Sequence, residues 1–200
     1  MPDHGASLLR LTYANAHERL AEDGRRAVAM ASSGRGDDAA NIVAQALLRE
    51  QRRLRSLSRF VTLDADLHVG SEYVDRLSAG LGDAVKGILQ AVAASWADFS
   101  TAPRATDTRV PVRNPAVKGP LAPNGDRMME KAGAAAATIA IARVPHSDDV
   151  TYEVVNFIDG TRTVAEIRDA VSAELEPVDL NAIAEYMDLL SKAGAIRFKP

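Results

Sequence analysis

No cysteine occurs in the 200 residues, which removes disulfides, thiolate catalysis and cysteine-ligated zinc. The missing cysteines do not fix a compartment, because a secreted chain of this size needs no disulfides. Aromatic residues are also scarce, at 4% with a single Trp, while alanine is plentiful. That mixture suits closely packed helices better than a β-sandwich, which leans on aromatic and β-branched side chains. There is no apolar run of about 18 residues, so no membrane span is expected. The N-terminal stretch lacks a basic start followed by an apolar run, and charge returns at Arg10, Glu18 and Arg19, so no secretory leader is read.

The chemistry-bearing motifs are missing too. The four histidines, His4, His17, His68 and His146, stand far apart, and no H-E-x-x-H pair brings two of them to metal-ligand spacing. Asp64-Ala-Asp66-Leu-His68 alternates acids with a histidine, but lacks the glycine and distant glutamate of a calcium loop. No G-x-S-x-G elbow surrounds Ser32 or Ser33, and no glycine-rich nucleotide cradle is found. Asp148 and Asp149 are adjacent, so on a helix they point apart instead of converging on a substrate. These absences predict no catalytic residue, no metal site and no cofactor.

What is present is helical periodicity. Ser7 to Ala31 places Leu8, Leu9, Tyr13, Ala16, Leu20, Ala27, Val28 and Ala31 at helical spacing, with a bend or fray expected at Gly24. The polar stretch Ser32 to Asp38 is a turn, with Asp37 or Asp38 expected to cap a second helix over Ala39–Val61. Its apolar stripe is Ile42, Val43, Ala46, Leu47, Leu54, Leu57 and Val61, opposite a basic face of Arg49, Arg52, Arg53, Arg55 and Arg59. After a break at Thr62–Ser71, a third helix over Glu72–Phe99 carries the clearest apolar periodicity in the chain. Three long helices make a bundle at residues 1–100. The third is apolar enough to need a cover. Leu77, Val85, Val92 and Trp96 on it are therefore candidates for partner binding, or else for intramolecular core.

Residues 101–145 form a connector. Pro103, Pro111, Pro115, Pro120 and Pro123 forbid a helix and disfavour a central strand, which predicts an extended connection. Glu130 to Arg143 is open between helix, from its alanines, and strand, from Thr138-Ile-Ala-Ile-Ala.

The last segment, 146–200, has a chemical cause at nearly every boundary. Asp148 and Asp149 suit a helix N-terminus, and Gly160 ends that helix. Thr163-Val-Ala-Glu166 matches a capping box that opens a second helix, and Pro177 closes it. Asp179 caps a third helix through Leu190, Gly194 stops it, and Ala195–Phe198 follows as a strand. The expected fold is mainly α: a bundle, a proline-rich connector, and a winged-helix-like three-helix module with a short terminal strand.

Net charge is −3, unevenly spread: residues 1–62 hold ten Lys/Arg against seven Asp/Glu, and residues 146–200 five against eleven. The helix that would enter a DNA groove carries Asp179, Glu185 and Asp188 against Lys192 alone, so it would repel phosphate and nucleic acid is not an expected partner.

Two resemblances refine these expectations. The segment Tyr152–Ile196, with Ile158-Asp159-Gly160, Thr163-Val164-Ala165-Glu166-Ile167 and Leu189-Leu190-Ser191-Lys192-Ala193-Gly194, resembles the small winged-helix modules typified by the peptide chaperone of pyrroloquinoline quinone biosynthesis. That resemblance implies peptide binding along a sheet edge or helix groove, and it makes Phe198 a candidate contact.

The whole chain, with Val110-Pro111-Val112-Arg113, Lys118-Gly119-Pro120-Leu121 and the run from Tyr152 through Leu175, resembles the C-terminal extension of long bacterial zinc aminopeptidases. These enzymes belong to the leucyl-aminopeptidase, transferrin-receptor-related family, whose members are often exported. In them the zinc ligands and general base lie in an upstream α/β domain. No such motif is matched here, so no catalytic residue carries over. The resemblance implies an accessory region that associates with itself, docks on a metallopeptidase domain, or binds a peptide. A stand-alone peptide carrier is the alternative, and a winged-helix transcription regulator the third.

Overall fold

The computed structural model describes residues 4–61, 67–96, 106–118, 121, 130–131 and 133–200. The acids Asp64 and Asp66, Phe99, and the prolines at 103, 120 and 123 lie outside them. The fold is mainly helical with one small antiparallel sheet, and the chain divides into two compact units, Met1–Thr101 and Ala102–Pro200.

The first unit is three long helices, α1 (His4–Ser32), α2 (Gly36–Val61) and α3 (Leu67–Ser95). Each is amphipathic, and their stripes close on one core that includes Leu9, Leu20, Ile42, Leu54, Leu81 and Val92. α1 runs unbroken through Gly24, where a Cβ would crowd the Ile88 side chain. A Cβ on Gly80 would meet the Tyr13 hydroxyl. Because 13 meets 80 and 24 meets 88, α1 and α3 run parallel. α2 runs against both. The α1 end is closed by Gly34 at φ +84, whose amide returns to Ala31 while Arg35 returns to Met30, the paired bonds of a Schellman stop.

Two expected boundaries shift. α2 begins at Gly36, so Asp37 and Asp38 lie within its first turn, where carboxylates favour the helix dipole instead of capping from outside. α3 begins at Leu67, ahead of Gly70 and Ser71, and ends at Ser95, so Trp96 has stepped off the helix. Its indole lies across Gly36, where any Cβ would overlap the ring.

The second unit takes in more than the terminal module. It contains β1 (Pro111–Arg113), two 3-10 turns (Gly133–Thr138 and Ala140–Arg143), α4 (Ser147–Asn156), α5 (Val164–Glu174), α6 (Leu180–Lys192) and β2 (Ile196–Phe198). One core gathers Leu121, Ile141, Val154, Ile167, Ile183, Tyr186, Met187 and Leu190. Residues 106–118 and Leu121, expected as part of an extended connection, thus supply part of the body itself. β1 pairs antiparallel with β2, Pro111 opposite Phe198, Val112 opposite Arg197 and Arg113 opposite Ile196. Proline is tolerated because a two-stranded sheet has only edge strands. Of the stretch over 130–143, residues 130–131 are helical and 133–143 form the two 3-10 turns. Ile139 is extended, at φ −61 and ψ 155, and interrupts what alanine would continue.

Candidate functional site

Two polar clusters and one surface stand out, and each is built by identifiable local chemistry. The first lies between α1 and α2. Glu50 falls in the gap of the α2 apolar stripe between Leu47 and Leu54, so its side chain enters the interior and is 0% exposed. Arg19 grips it with two bonds, Nε to Oε1 at 3.0 Å and Nη2 to Oε2 at 2.6 Å. Arg49 and Arg53 add bonds to Oε1 at 3.2 and 3.0 Å, and Arg49 also reaches Asp23 at 2.6 Å. Burial opposes ionisation of Glu50, but the guanidiniums of Arg19 and Arg49 outweigh it and hold the carboxyl below its ordinary range. A carboxylate held ionised this way is a poor proton shuttle, since general bases work best with a pKa near the working pH. Its role is to tie two helices together.

The second cluster surrounds Arg109 in the second unit. Its Nε and Nη2 bind both oxygens of Asp107 at 2.6–3.1 Å, its Nη1 binds Asp188 of α6, and its guanidinium lies 4.5 Å from the centre of the Phe198 ring. The bond from Arg109 holds the Asp107 carboxyl below its usual value. The backbone continues the joint. The Arg109 and Asp107 carbonyls accept the amides of Val164 and Ala165 at 2.9 and 3.1 Å. Thr163 Oγ accepts the Glu166 amide at 3.2 Å, and Glu166 returns a bond to the Thr163 amide at 2.8 Å. Every orphan amide in the first turn of α5 is therefore satisfied within the unit. At the far end of α6, Asn114 donates to the Gly194 carbonyl at 2.9 Å. Tyr186, fully buried, donates its hydroxyl to the Leu121 carbonyl, and burial pushes its phenol pKa up.

The five residues expected at a partner interface divide between the units. Val85 and Val92 are buried in the three-helix core, with Leu77 and Trp96 half-buried against it. The amphipathic α1 and α2 close over the stripe that looked uncovered in sequence. Phe198 belongs to the other unit, half-buried at the end of β2 beneath Arg109. Among the described residues no group of three or more His, Asp or Glu side chains converges as a metal site would require. No described helix is long and apolar enough to cross a membrane.

No family model matches the chain, and no curated protein or solved structure matches it.

The remaining feature is the outward surface of the second unit. Side chains alternate across a strand. Pro111 and Ile196 turn inward and are buried, while Val112 and Arg197 turn outward. Tyr152 on α4 is 66% exposed, the most exposed large apolar side chain described. Sequence reasoning missed Glu50 and Arg109. The first was signalled by a carboxylate at a stripe position, the second only by Asp107 two residues before an arginine.

Proposed function

We propose that this chain is a non-catalytic accessory unit that binds a protein or peptide partner, in the manner of the C-terminal extension of a zinc aminopeptidase. One observation carries the proposal: the acidic and capping side chains at the helix ends of the second unit are used by its own fold. Asp159 receives the amides of Thr161 and Arg162, Thr163 and Glu166 cap α5, Asp179 caps α6, Glu185 accepts the Ala140 amide, and Asp188 pairs with Arg109. What such a unit leaves for other molecules is surface, namely the small sheet and the exposed face of α4.

The test is direct. The purified chain, supplied with zinc, is expected to leave aminoacyl reporter substrates unhydrolysed, and to co-purify with a zinc aminopeptidase catalytic domain when the two are expressed together. Zinc-dependent hydrolysis by the chain alone would sink the proposal. The stand-alone peptide carrier is the second reading, favoured by a sheet of only two strands whose outer edges are candidates for strand addition. Under that reading a peptide would shift the signals of Ile196–Phe198 with no catalytic domain present.

A further inference from the structure

We infer that the outward face of the β1–β2 sheet recognises an acidic, extended protein segment, with carboxylates on alternate residues. This rests on the binding role proposed above and specifies the partner's chemistry.

Arg197 and Lys199 are two apart on the β2 strand line, so they project from the same face, spaced roughly 7 Å along it. Both are exposed, as is Lys192 at the end of α6, while Arg113 on β1, exposed too, pairs with Ile196 and so projects from the opposite face. Asn114 draws these two elements together through its bonds to the Gly194 and Ala195 carbonyls. No ion pair joins any of these four cations to an acidic side chain among the described residues. The carboxylates around them are already committed: Asp107 and Asp188 to Arg109, and Asp159 to Arg162. Val110 and Val112, partly buried, lie across the ladder from Lys199 and Arg197 and give the face an apolar strip beside its charges.

An extended segment presents every second side chain to one face, so acids at alternate positions match the Arg197–Lys199 spacing. A long polyanion matches less well. Residues 146–200 carry eleven acids against five bases, so a duplex or an anionic bilayer laid on the sheet would run onto repelling helices.

The experiment uses the full-length protein and three probes at low salt. They are a ten-residue peptide alternating Glu with Val and Thr, the same peptide with Gln for Glu, and a 20-base-pair duplex. The acidic peptide is expected to bind, shifting amide signals at 110–114 and 195–199, and to lose about tenfold in affinity in the Arg197→Gln/Lys199→Gln double variant. Unchanged circular dichroism and Tm in that variant would separate lost binding from lost folding. Equal binding of the Gln peptide at the same strand would overturn the charge inference while leaving the binding role standing. Failure of both peptides, shifts confined to residues 4–96, or tighter binding of the duplex through the same cations would overturn the inference itself.

Discussion

Glu50 shows how much one side chain can hold. It is wholly buried, yet the three arginines around it remain partly exposed. Replacing it with alanine strips the guanidiniums of their shared acceptor and opens a gap beside Leu54. Glu50→Ala is expected to destabilise the first unit by about 2–3 kcal/mol, less than for a wholly buried pair, because the arginines can turn to water. The single tryptophan, Trp96, packs in the same unit, so urea unfolding followed by its fluorescence reports the loss. An unchanged midpoint would show the cluster to be ornamental. Ser78 presents the opposite case. Its hydroxyl is buried on α3 with no hydrogen-bond partner among the described residues, and alanine removes that penalty while favouring the helix. Ser78→Ala is expected to raise stability by roughly 1 kcal/mol in the same assay; a loss would mean that the hydroxyl has a partner in solution.

Elements were legible in sequence to the degree that their ends had local chemistry. The α5 capping box formed as its four residues required, Asp179 capped α6 by accepting the Asn181 amide at 2.6 Å, and Gly194 took the left-handed stop at φ +70. Thr163→Ala removes one side of the α5 box and is expected to cost about 1 kcal/mol, with faster hydrogen exchange at the Glu166 amide. What local pattern could not reveal was pairing across sequence distance. Nothing near Val112 announces that its partner is Arg197, eighty-five positions on. Nothing near Leu121 announces Tyr186. Among described residues 106–118 no helix forms, as the prolines required, but they said nothing about where the carbonyls of that stretch would be used. Glu50 was missed for a related reason: a stripe with one polar position admits either a buried charge or a register slip, and only the arginine opposite on α1 decides.

Three described carboxyls are depressed, Glu50 in the first unit and Asp107 and Asp159 in the second, and their signs agree. Burial works against ionisation of Asp159, but the amides of Arg162 and Thr161, with the Thr161 hydroxyl and the Arg162 guanidinium, bring it down to about 2. Glu50 is lowered likewise. When the folded value lies below the unfolded one, the unfolded chain takes up protons first as the medium acidifies. The contribution is therefore complete above about pH 4.5 and is lost as pH falls toward 2. Thermal melts are expected to be level between pH 7 and 5, then to fall by pH 2.5. Asp159 accounts for roughly 1 kcal/mol of that fall after screening of its exposed side. Asp159→Asn should flatten the acid limb; an identical limb in that variant would place the loss elsewhere.

The joint that residues 106–118 and Leu121 make with the three terminal helices changes where this gene could be cut and pasted. A hybrid carrying only 146–200 would leave two amides bare at the start of α5, β2 without a ladder, and a hole where Leu121 sat. The smallest transplantable body begins ahead of Asp107, and a recombination event landing nearer the C-terminus would deliver a fragment missing one wall.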